Sequence, residues 1–108
     1  MQIEIVFRNL TPSEPLKSYA LKRFQKLARM VGEEGENKAL VTLSLESGRP
    51  RADVLLSGPD LNMAASEKND DMYAAIDLCS DRLGGQLRKA SERRSQINRD
   101  TMVDALTK

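Results

Sequence analysis

Three short segments between residues 38 and 67 alternate apolar and polar residues, and this pattern constrains the fold more than any other feature. The segments are Lys38–Glu46, Arg51–Ser57 and Leu61–Glu67. Alternation with a period of two is typical of a β-strand that buries one face. The connections SGRP and SGPD are too short for a helix and contain the turn-forming residues glycine and proline. The sequence therefore predicts three consecutive antiparallel strands.

A further strand and a helix are predicted before this region. Gln2–Asn9 alternates in the same way and predicts the first strand. The helix that follows has apolar residues every three or four positions and is expected to end near Gly32. Its start has two candidates: Thr11 fits a capping box, whereas Pro15 would remove an early hydrogen bond from that start and favours Ser13.

A second helix is predicted from Asp70 or Asp71, whose carboxylates can cap its first turn. Gly84 and Gly85 each cost about 1 kcal/mol in a helix interior, but the apolar spacing continues across them, so the helix is expected to run through. The pattern fades from Ser95, which predicts a domain at 1–97 and a short mobile tail at 98–108. The apolar stripe consists of Met72, Ile76, Cys79, Leu83, Leu87 and Ala90.

The predicted order is β-α-β-β-β-α, a single α+β domain. One four-stranded sheet with both helices packed on the same face buries each apolar stripe once, which is also the layout of double-stranded RNA-binding domains. The other face of the sheet is expected to be wet and to offer little apolar area to a partner. The polar residues predicted on that face are Glu4, Thr42, Ser44, Asp53, Asn62 and Ser66.

The composition argues against an enzyme. The chain of 108 residues has no histidine and one cysteine, and no catalytic residue, metal site or cofactor is predicted. Cys79 lies on the apolar stripe and is expected to be a core residue, while Asp77 and Asp81 are expected to be solvated acids near the helix start. A lone cysteine, no membrane-length apolar run and no signal-peptide pattern together predict a cytoplasmic protein.

The basic residues are concentrated in the two predicted helices. The formal net charge is only +1, yet 11 of the 17 basic residues and 1 of the 16 acidic residues lie in Pro15–Val31 and Arg82–Arg99. Charged helix stripes are usually solvated faces, but such faces normally mix both signs. If the helices lie side by side, two basic stripes can border one groove suited to a phosphate backbone. The stripes are Lys22, Lys26 and Arg29 on the first helix, and Arg82, Lys89 and Arg93 on the second.

Aromatic residues make up only 4% of the chain, so any nucleic acid would be recognised by backbone and shape rather than by stacking on bases. Arg23 lies nearer the apolar edge of its helix, where its stem can be buried. Arg88 lies on a different side of the second helix from the Arg82 stripe. Whether Tyr73 packs or contacts a partner stays open.

The stretch DMYAAID, which opens the second helix, resembles the signature of the ribosome hibernation-promoting factor family. That family includes the ribosome-associated inhibitor called protein Y and was formerly described as a sigma-54 modulation protein. The likeness covers Met1 to about Arg94 and includes the opening strand, the FxKL run at Phe24–Leu27 and the strand-rich middle. The motif residues are Asp71, Met72, Tyr73 and Asp77.

The resemblance implies a non-enzymatic protein that binds the small (30S) ribosomal subunit and its 16S rRNA between head and body, near the decoding centre. It implies that the protein blocks the tRNA and mRNA sites in stationary phase, and some family members promote dimers of whole ribosomes. No cofactor, small-molecule substrate, membrane or stable homo-oligomer is expected. The family's basic sites match Arg23, Lys26, Arg82 and Lys89, and the full predicted RNA-binding set is Lys22, Arg23, Lys26, Arg29, Arg82, Arg88, Lys89 and Arg93.

Two departures bear on the subtype. Gly85 falls where relatives can carry a basic residue. The end TMVDALTK is short and nearly neutral, which favours the short type of hibernation-promoting factor over the type with a longer acidic tail. Two alternatives stay open: a protein-interaction adaptor, as the sigma-factor description suggests, and a generic binder of duplex RNA.

Overall fold

The structure, a computed structural model, describes residues 1–31, 36–59 and 61–107, with side chains up to residue 90. The element order confirms the predicted β-α-β-β-β-α arrangement. The elements are β1 (Gln2–Arg8), α1 (Glu14–Val31), β2 (Lys38–Glu46), β3 (Arg49–Gly58), β4 (Leu61–Lys68) and α2 (Met72–Thr107).

The four strands form one mixed sheet in the order β1-β2-β3-β4. The antiparallel pairing of β2 with β3 and of β3 with β4 confirms the predicted meander. β1 pairs parallel with β2, from Gln2 opposite Lys38 to Arg8 opposite Ser44. A parallel pair needs a long crossover, which α1 provides between these two strands.

The turn between β2 and β3 is tighter than predicted. Ser47 has φ 53° and Gly48 has φ 77°, so both central residues are left-handed, as a two-residue hairpin turn of type I′ requires. Glu46 pairs with Arg49 directly across this turn. β3 therefore begins two residues before the predicted start at Arg51.

Pro50 is the reason that the sequence suggested a later start, because proline cannot donate a hydrogen bond within a sheet. Glu46 and Arg49 form the hydrogen-bonded pair that closes the hairpin, so the next pair, Leu45 and Pro50, does not exchange hydrogen bonds. The proline nitrogen thus faces away from β2. The Pro50 carbonyl accepts a hydrogen bond at 3.1 Å from the N–H of Asn69, which lies just beyond the end of β4.

The hydrophobic core lies between one face of the sheet and both helices, which confirms the prediction that the helices share a face. Phe24 of α1 and Ile76 of α2 are fully buried against alternate residues of the central strands. Burying a side chain of this size stabilises the fold by about 1.5–3 kcal/mol. The largest fully buried side chains are Phe24, Leu43, Leu56, Ile76, Leu83, Val41 and Cys79.

Both helix starts are fixed by side-chain caps. α1 begins at Glu14, and the Leu16 N–H donates to Ser13 Oγ at 3.4 Å, so Ser13 rather than Thr11 is the cap. α2 begins at Met72, after Asp71, whose Oδ1 accepts the Tyr73 N–H at 3.0 Å. This cap confirms the second of the two predicted starts for α2.

The structure tests only some of the predictions about where the helices end. α2 is continuous through Gly84 and Gly85, as predicted, and its backbone is helical to Thr107. The division into a domain at 1–97 and a mobile tail at 98–108 stays a prediction. α1 ends at Val31, and the predicted cap at Gly32 lies outside the described residues.

The outer face of the sheet is less polar than predicted. Leu40 and Leu55 are 39% and 43% exposed there and pair directly across β2 and β3, with Ala64 of β4 next in the same row. Val6 is also exposed, whereas the predicted polar residue Ser44 is buried. The expectation of little apolar area on this face is therefore wrong. β2 and β3 each have leucine on the outer face as well as on the face that packs in the core.

A group of ion pairs lies at one end of this outer face. Arg51 contacts Asp53 at 2.9 Å and Glu46 at 2.5 Å, and Lys68 lies 3.4 Å from Glu46. Hydrogen bonds from Arg51 and Lys68 lower the pKa of Glu46. Partial burial opposes ionisation of Asp53, but hydrogen bonds from Arg51 and Ser66 outweigh it and lower the pKa of that carboxyl. These cations are neutralised within the sheet.

Candidate nucleic-acid interface

The two helices lie side by side and approach each other at Gly84 of α2. A Cβ atom placed on Gly84 of α2 would lie 3.6 Å from Leu27 Cδ2 of α1. This contact identifies the flank of α2 that faces α1. A side chain longer than alanine at this position would push the helices apart.

Polar side chains fill the seam between the helices where α2 begins. The Tyr19 hydroxyl of α1 donates to Asp77 Oδ1 of α2 at 2.6 Å. Arg23 Nε lies 3.0 Å from the same Asp77 oxygen, and Arg23 Nη2 donates to Asp81 Oδ1 at 3.2 Å. Arg23 Nε is buried and makes no aligned hydrogen bond, so its contact with Asp77 is electrostatic. We call these four residues, Tyr19, Arg23, Asp77 and Asp81, the seam cluster.

The seam cluster changes the interpretation of both acids. Asp77 and Asp81 were expected to be solvated acids near the helix start, and Asp81 is indeed 74% exposed, but both acids also pair with Arg23 and so join α2 to α1. The hydrogen bond to Asp77 raises the pKa of Tyr19, because the phenolate form would lose this donor and face a carboxylate. Arg23 has only 26% of its side chain exposed, as its place near the apolar edge predicted.

The four motif residues all have structural roles in this region. Asp71 caps α2, and Met72 is buried in the core. Tyr73 packs edge-to-face on Tyr19, with ring centroids 4.9 Å apart, while 38% of it stays exposed. Asp77 joins the helices through the seam cluster. The motif thus fixes the start of α2 and its docking on α1, and it leaves Tyr73 partly available to a partner.

The basic residues of α1 lie at different angles around the helix. Lys22 and Lys26 are exposed on its solvent side. Arg29 is exposed on the flank toward β1, beside Leu21 and Ile3. Because Arg23 is held in the seam, the freely exposed positive charge of α1 comes from its other four basic residues, Lys17, Lys22, Lys26 and Arg29.

The basic residues of α2 are divided between its two flanks. Arg82 Nη1 lies 2.9 Å from Glu67 Oε1 of β4, so this flank faces the sheet edge away from α1. Lys89 is exposed on the same flank, two turns later. Arg88 is exposed one turn beyond Gly84, on the flank that faces α1.

The expectation that two basic stripes border one groove is therefore wrong in its geometry. The Arg82 and Lys89 stripe faces away from α1, and the seam between the helices holds Asp77 and Asp81 instead. The side chain of Arg93 lies outside the described residues. The structure instead presents one broad surface formed by both helices, which we call the helix face. Its exposed bases include Lys22, Lys26 and Arg29 on α1 and Arg82, Arg88 and Lys89 on α2. The seam cluster lies between the two helices.

Sequence reasoning missed the acidic partners of Arg23 and Arg82. A signal for the first existed, because Tyr19 and Arg23 are four residues apart on α1, as Asp77 and Asp81 are on α2, and such spacing aligns side chains on one flank. No comparable signal existed for Glu67, since its pairing depends on how α2 lies across β4.

Cys79 is a core residue, as predicted. It is fully buried, its thiol donates to the Ala52 carbonyl at 3.3 Å, and burial raises its pKa to about 12. Among residues 1–31, 36–59 and 61–107, no group of three or more histidine, cysteine or acidic side chains is placed to hold a metal. In the same part of the chain, no helix is long and apolar enough to span a membrane.

These features define an α+β domain whose helices present basic residues on one side of a four-stranded sheet. A comparison with family models matches residues 3–95 to the family described as Sigma 54 modulation protein / S30EA ribosomal protein. The chain belongs to this family, as the DMYAAID resemblance predicted.

Individual relatives agree with the family match. The chain is 30% identical to the ribosome hibernation promoting factor of Pseudomonas putida over 98 residues, which are 90% of this chain and 93% of that protein. It is 30% identical to the ribosome hibernation promotion factor of Staphylococcus aureus over 101 residues, which are 93% of this chain and 53% of that protein. The chain thus spans about half the length of the Staphylococcus aureus relative.

Solved structures show the same fold. The N-terminal domain of Thermus thermophilus protein Y matches with a TM-score of 0.71 and 33% identity, covering 82% of this chain and 98% of that one. A ribosomal subunit interface protein from Coxiella burnetii matches with a TM-score of 0.71 and 22% identity, covering 85% and 99%. The second likeness shows the fold alone.

Proposed function

We propose that this protein is a ribosome hibernation factor that binds the small ribosomal subunit through the helix face and stops translation during stationary phase or stress. The family match and the names of the Pseudomonas putida and Staphylococcus aureus relatives, both ribosome hibernation factors, support a role on the ribosome. Binding close to the decoding centre, across the tRNA and mRNA sites, is the finer part of the proposal and follows from the family resemblance.

The observation that carries the proposal is the set of exposed bases on the helix face. Within the described residues, Lys22, Lys26, Arg88 and Lys89 are exposed and have no acidic partner, unlike Arg23 and Arg82. Residues 15–31 of α1 contain no acid at all. A surface of this kind attracts phosphates and releases counterions when it binds them.

The same surface predicts how the RNA is recognised. Among the described side chains of the helix face, Tyr73 is exposed but packs against Tyr19, so it has little freedom to stack on a base. Recognition would then depend on the position of phosphates rather than on base identity. Each phosphate contact contributes about 0.7–0.9 to the slope of log K against log salt.

The test is charge reversal on the helix face. We expect the double variant Lys26→Glu and Lys89→Glu to bind purified small subunits at least about tenfold more weakly in moderate salt, with a salt slope shallower by about two phosphate contacts. Sedimentation through sucrose gradients at several salt concentrations measures both quantities. Both lysines are exposed, so the thermal unfolding of this variant should match that of the wild type.

The matched control is Arg8→Glu with Lys38→Glu, which makes the same change in net charge on the outer sheet face. We expect this control to bind much like the wild type. Equal loss in the control, or undiminished binding of the helix-face variant, would contradict the proposal. A ribosome-dimer peak in the same gradients would assign the protein to the members that promote dimers.

A protein-interaction adaptor is the second candidate, and the apolar row Leu40, Leu55 and Ala64 on the outer sheet face is the observation that favours it. The adaptor would contact its partner through this row and would depend weakly on salt. Nuclease treatment before co-sedimentation separates the two functions, since only the hibernation function requires intact ribosomal RNA.

A further inference from the structure

We infer that Asp81, supported by Asp77, is a specificity determinant that disfavours regular duplex RNA on the helix face. This inference rests on the proposed function, because it concerns how the same face distinguishes one RNA from another. It assigns a role to acids in a surface that otherwise attracts phosphates.

The seam cluster carries a net negative charge between two groups of bases. Arg23 supplies one positive charge, and Asp77 and Asp81 supply two negative charges within 3.0 and 3.2 Å of it. Arg23 is mostly buried, whereas 74% of the Asp81 side chain is exposed. The charge that an approaching phosphate meets at the seam is therefore that of Asp81.

The exposed bases lie on both sides of this carboxylate. Lys22 and Lys26 are on the solvent side of α1, and Lys89 is on the flank of α2 that faces away from α1. A phosphate backbone that takes the direct path from one group to the other crosses the flank of α2 that faces α1, where Asp81 is exposed and Arg88 follows two turns later. Like charges separated by less than the Debye length of about 8–10 Å repel each other at physiological salt.

Regular and folded RNA differ in how they meet this charge pattern. A duplex presents closely spaced phosphates without a gap, so a backbone that spans both basic groups at the level of Asp81 would place at least one phosphate beside this carboxylate. A folded RNA can present two phosphate runs from separate strands and leave the seam empty. Asp81 should therefore weaken binding to a plain duplex more than binding to a folded target, which is how an unfavourable contact creates specificity.

A competing role would be to position Arg23 for RNA contact. In that case, loss of the Asp81 charge would weaken binding to every RNA, because the guanidinium would lose one of its two anchors. The two roles therefore predict opposite changes in duplex affinity when the Asp81 charge is removed: a gain if Asp81 determines specificity, and a loss if it positions Arg23.

The test compares Asp81→Asn with two other variants, using a regular RNA duplex and purified small subunits as probes. Asp81→Glu keeps the charge at the seam. Asp70→Asn removes one exposed acid that pairs with Arg49 at 3.4 Å, outside the seam. Both positions, Asp81 and Asp70, are exposed, so the thermal unfolding of all three variants should stay close to that of the wild type and serves as the check on folding.

We expect Asp81→Asn to bind the duplex about fivefold more tightly, with a salt slope steeper by about one phosphate contact. Its affinity for small subunits should change by less than about twofold, so the preference for the subunit falls. Asp81→Glu and Asp70→Asn should keep the wild-type preference. Weaker duplex binding by Asp81→Asn, or the same gain in Asp70→Asn, would overturn the inference.

The two proposals fail in different ways. If wild-type protein does not bind small subunits, the proposed function fails, while the duplex comparison still tests the role of Asp81. If wild-type protein binds subunits and Asp81→Asn gains no affinity for the duplex, only the role of Asp81 is overturned.

Discussion

At the scale of single residues, Asp77 shows how one carboxylate holds two helices together. It accepts a hydrogen bond from the Tyr19 hydroxyl and pairs with Arg23, and both partners belong to α1. A carboxylate on the surface of a lone helix would be solvated and would add little to stability. The role of Asp77 therefore exists only in the folded domain, and the ionisation of Tyr19 reports on it.

We predict that Tyr19 titrates above its usual pKa of 10.0, because its hydroxyl donates to the Asp77 carboxylate. A pKa that is raised on folding gives a stability contribution that is complete below pH 10 and disappears as the pH rises through the folded-state value. Ultraviolet absorbance titration of the Tyr73→Phe variant isolates the Tyr19 signal.

Adding Asp77→Ala to that variant should return the pKa of Tyr19 toward 10.0. It should also remove the contribution of Tyr19 to the pH dependence of the unfolding free energy. If Tyr19 titrates at 10.0 with Asp77 in place, the hydrogen bond across the seam does not persist in solution.

At the scale of elements, the sequence pattern predicts the strands and helices well because each has a strong period. The apolar phases of β2, β3 and β4 and the stripe through Gly84 and Gly85 were sufficient to place these elements. The start of β3 was displaced by Pro50, whose position in the hydrogen-bonding pattern depends on the turn before it. Glycine substitutions test both of these elements.

We predict that Gly85→Ala raises the free energy of unfolding by about 0.5–1 kcal/mol, since alanine favours the helix and the structure has open space there. Gly48→Ala should lower the free energy of unfolding, because Gly48 has φ 77° in the turn between β2 and β3, a left-handed conformation that glycine adopts more easily than alanine. Denaturant unfolding of both variants, followed by circular dichroism, measures the difference. A loss of stability in Gly85→Ala would mean that α2 is not a regular helix at this point.

At the scale of the whole molecule, the sequence predicts that the basic residues are concentrated on the two helices, but it does not predict their acidic partners. Segregation of charge into two helices is visible in the sequence, and so is the DMYAAID motif that identifies the family. The ion pair of Arg23 with Asp81 joins α2 to α1 across 58 residues of sequence, and that of Arg82 with Glu67 joins α2 to the preceding strand β4. They depend on how the helices lie on the sheet, which local spacing does not determine.

The two faces of the molecule differ in chemistry, and this difference separates the hibernation factor from the adaptor. The helix face has exposed bases, whereas the outer sheet face has exposed Leu40 and Leu55 side by side. We predict that Leu40→Ser with Leu55→Ser changes small-subunit affinity by less than about twofold, because salt-dependent binding through phosphates does not use an apolar row. Gradient sedimentation at the salt concentrations used for Lys26→Glu and Lys89→Glu makes the comparison direct. If the serine variant keeps its fold but loses binding as fully as the lysine variant, the outer face also contacts the ribosome, and the helix face alone does not account for the function.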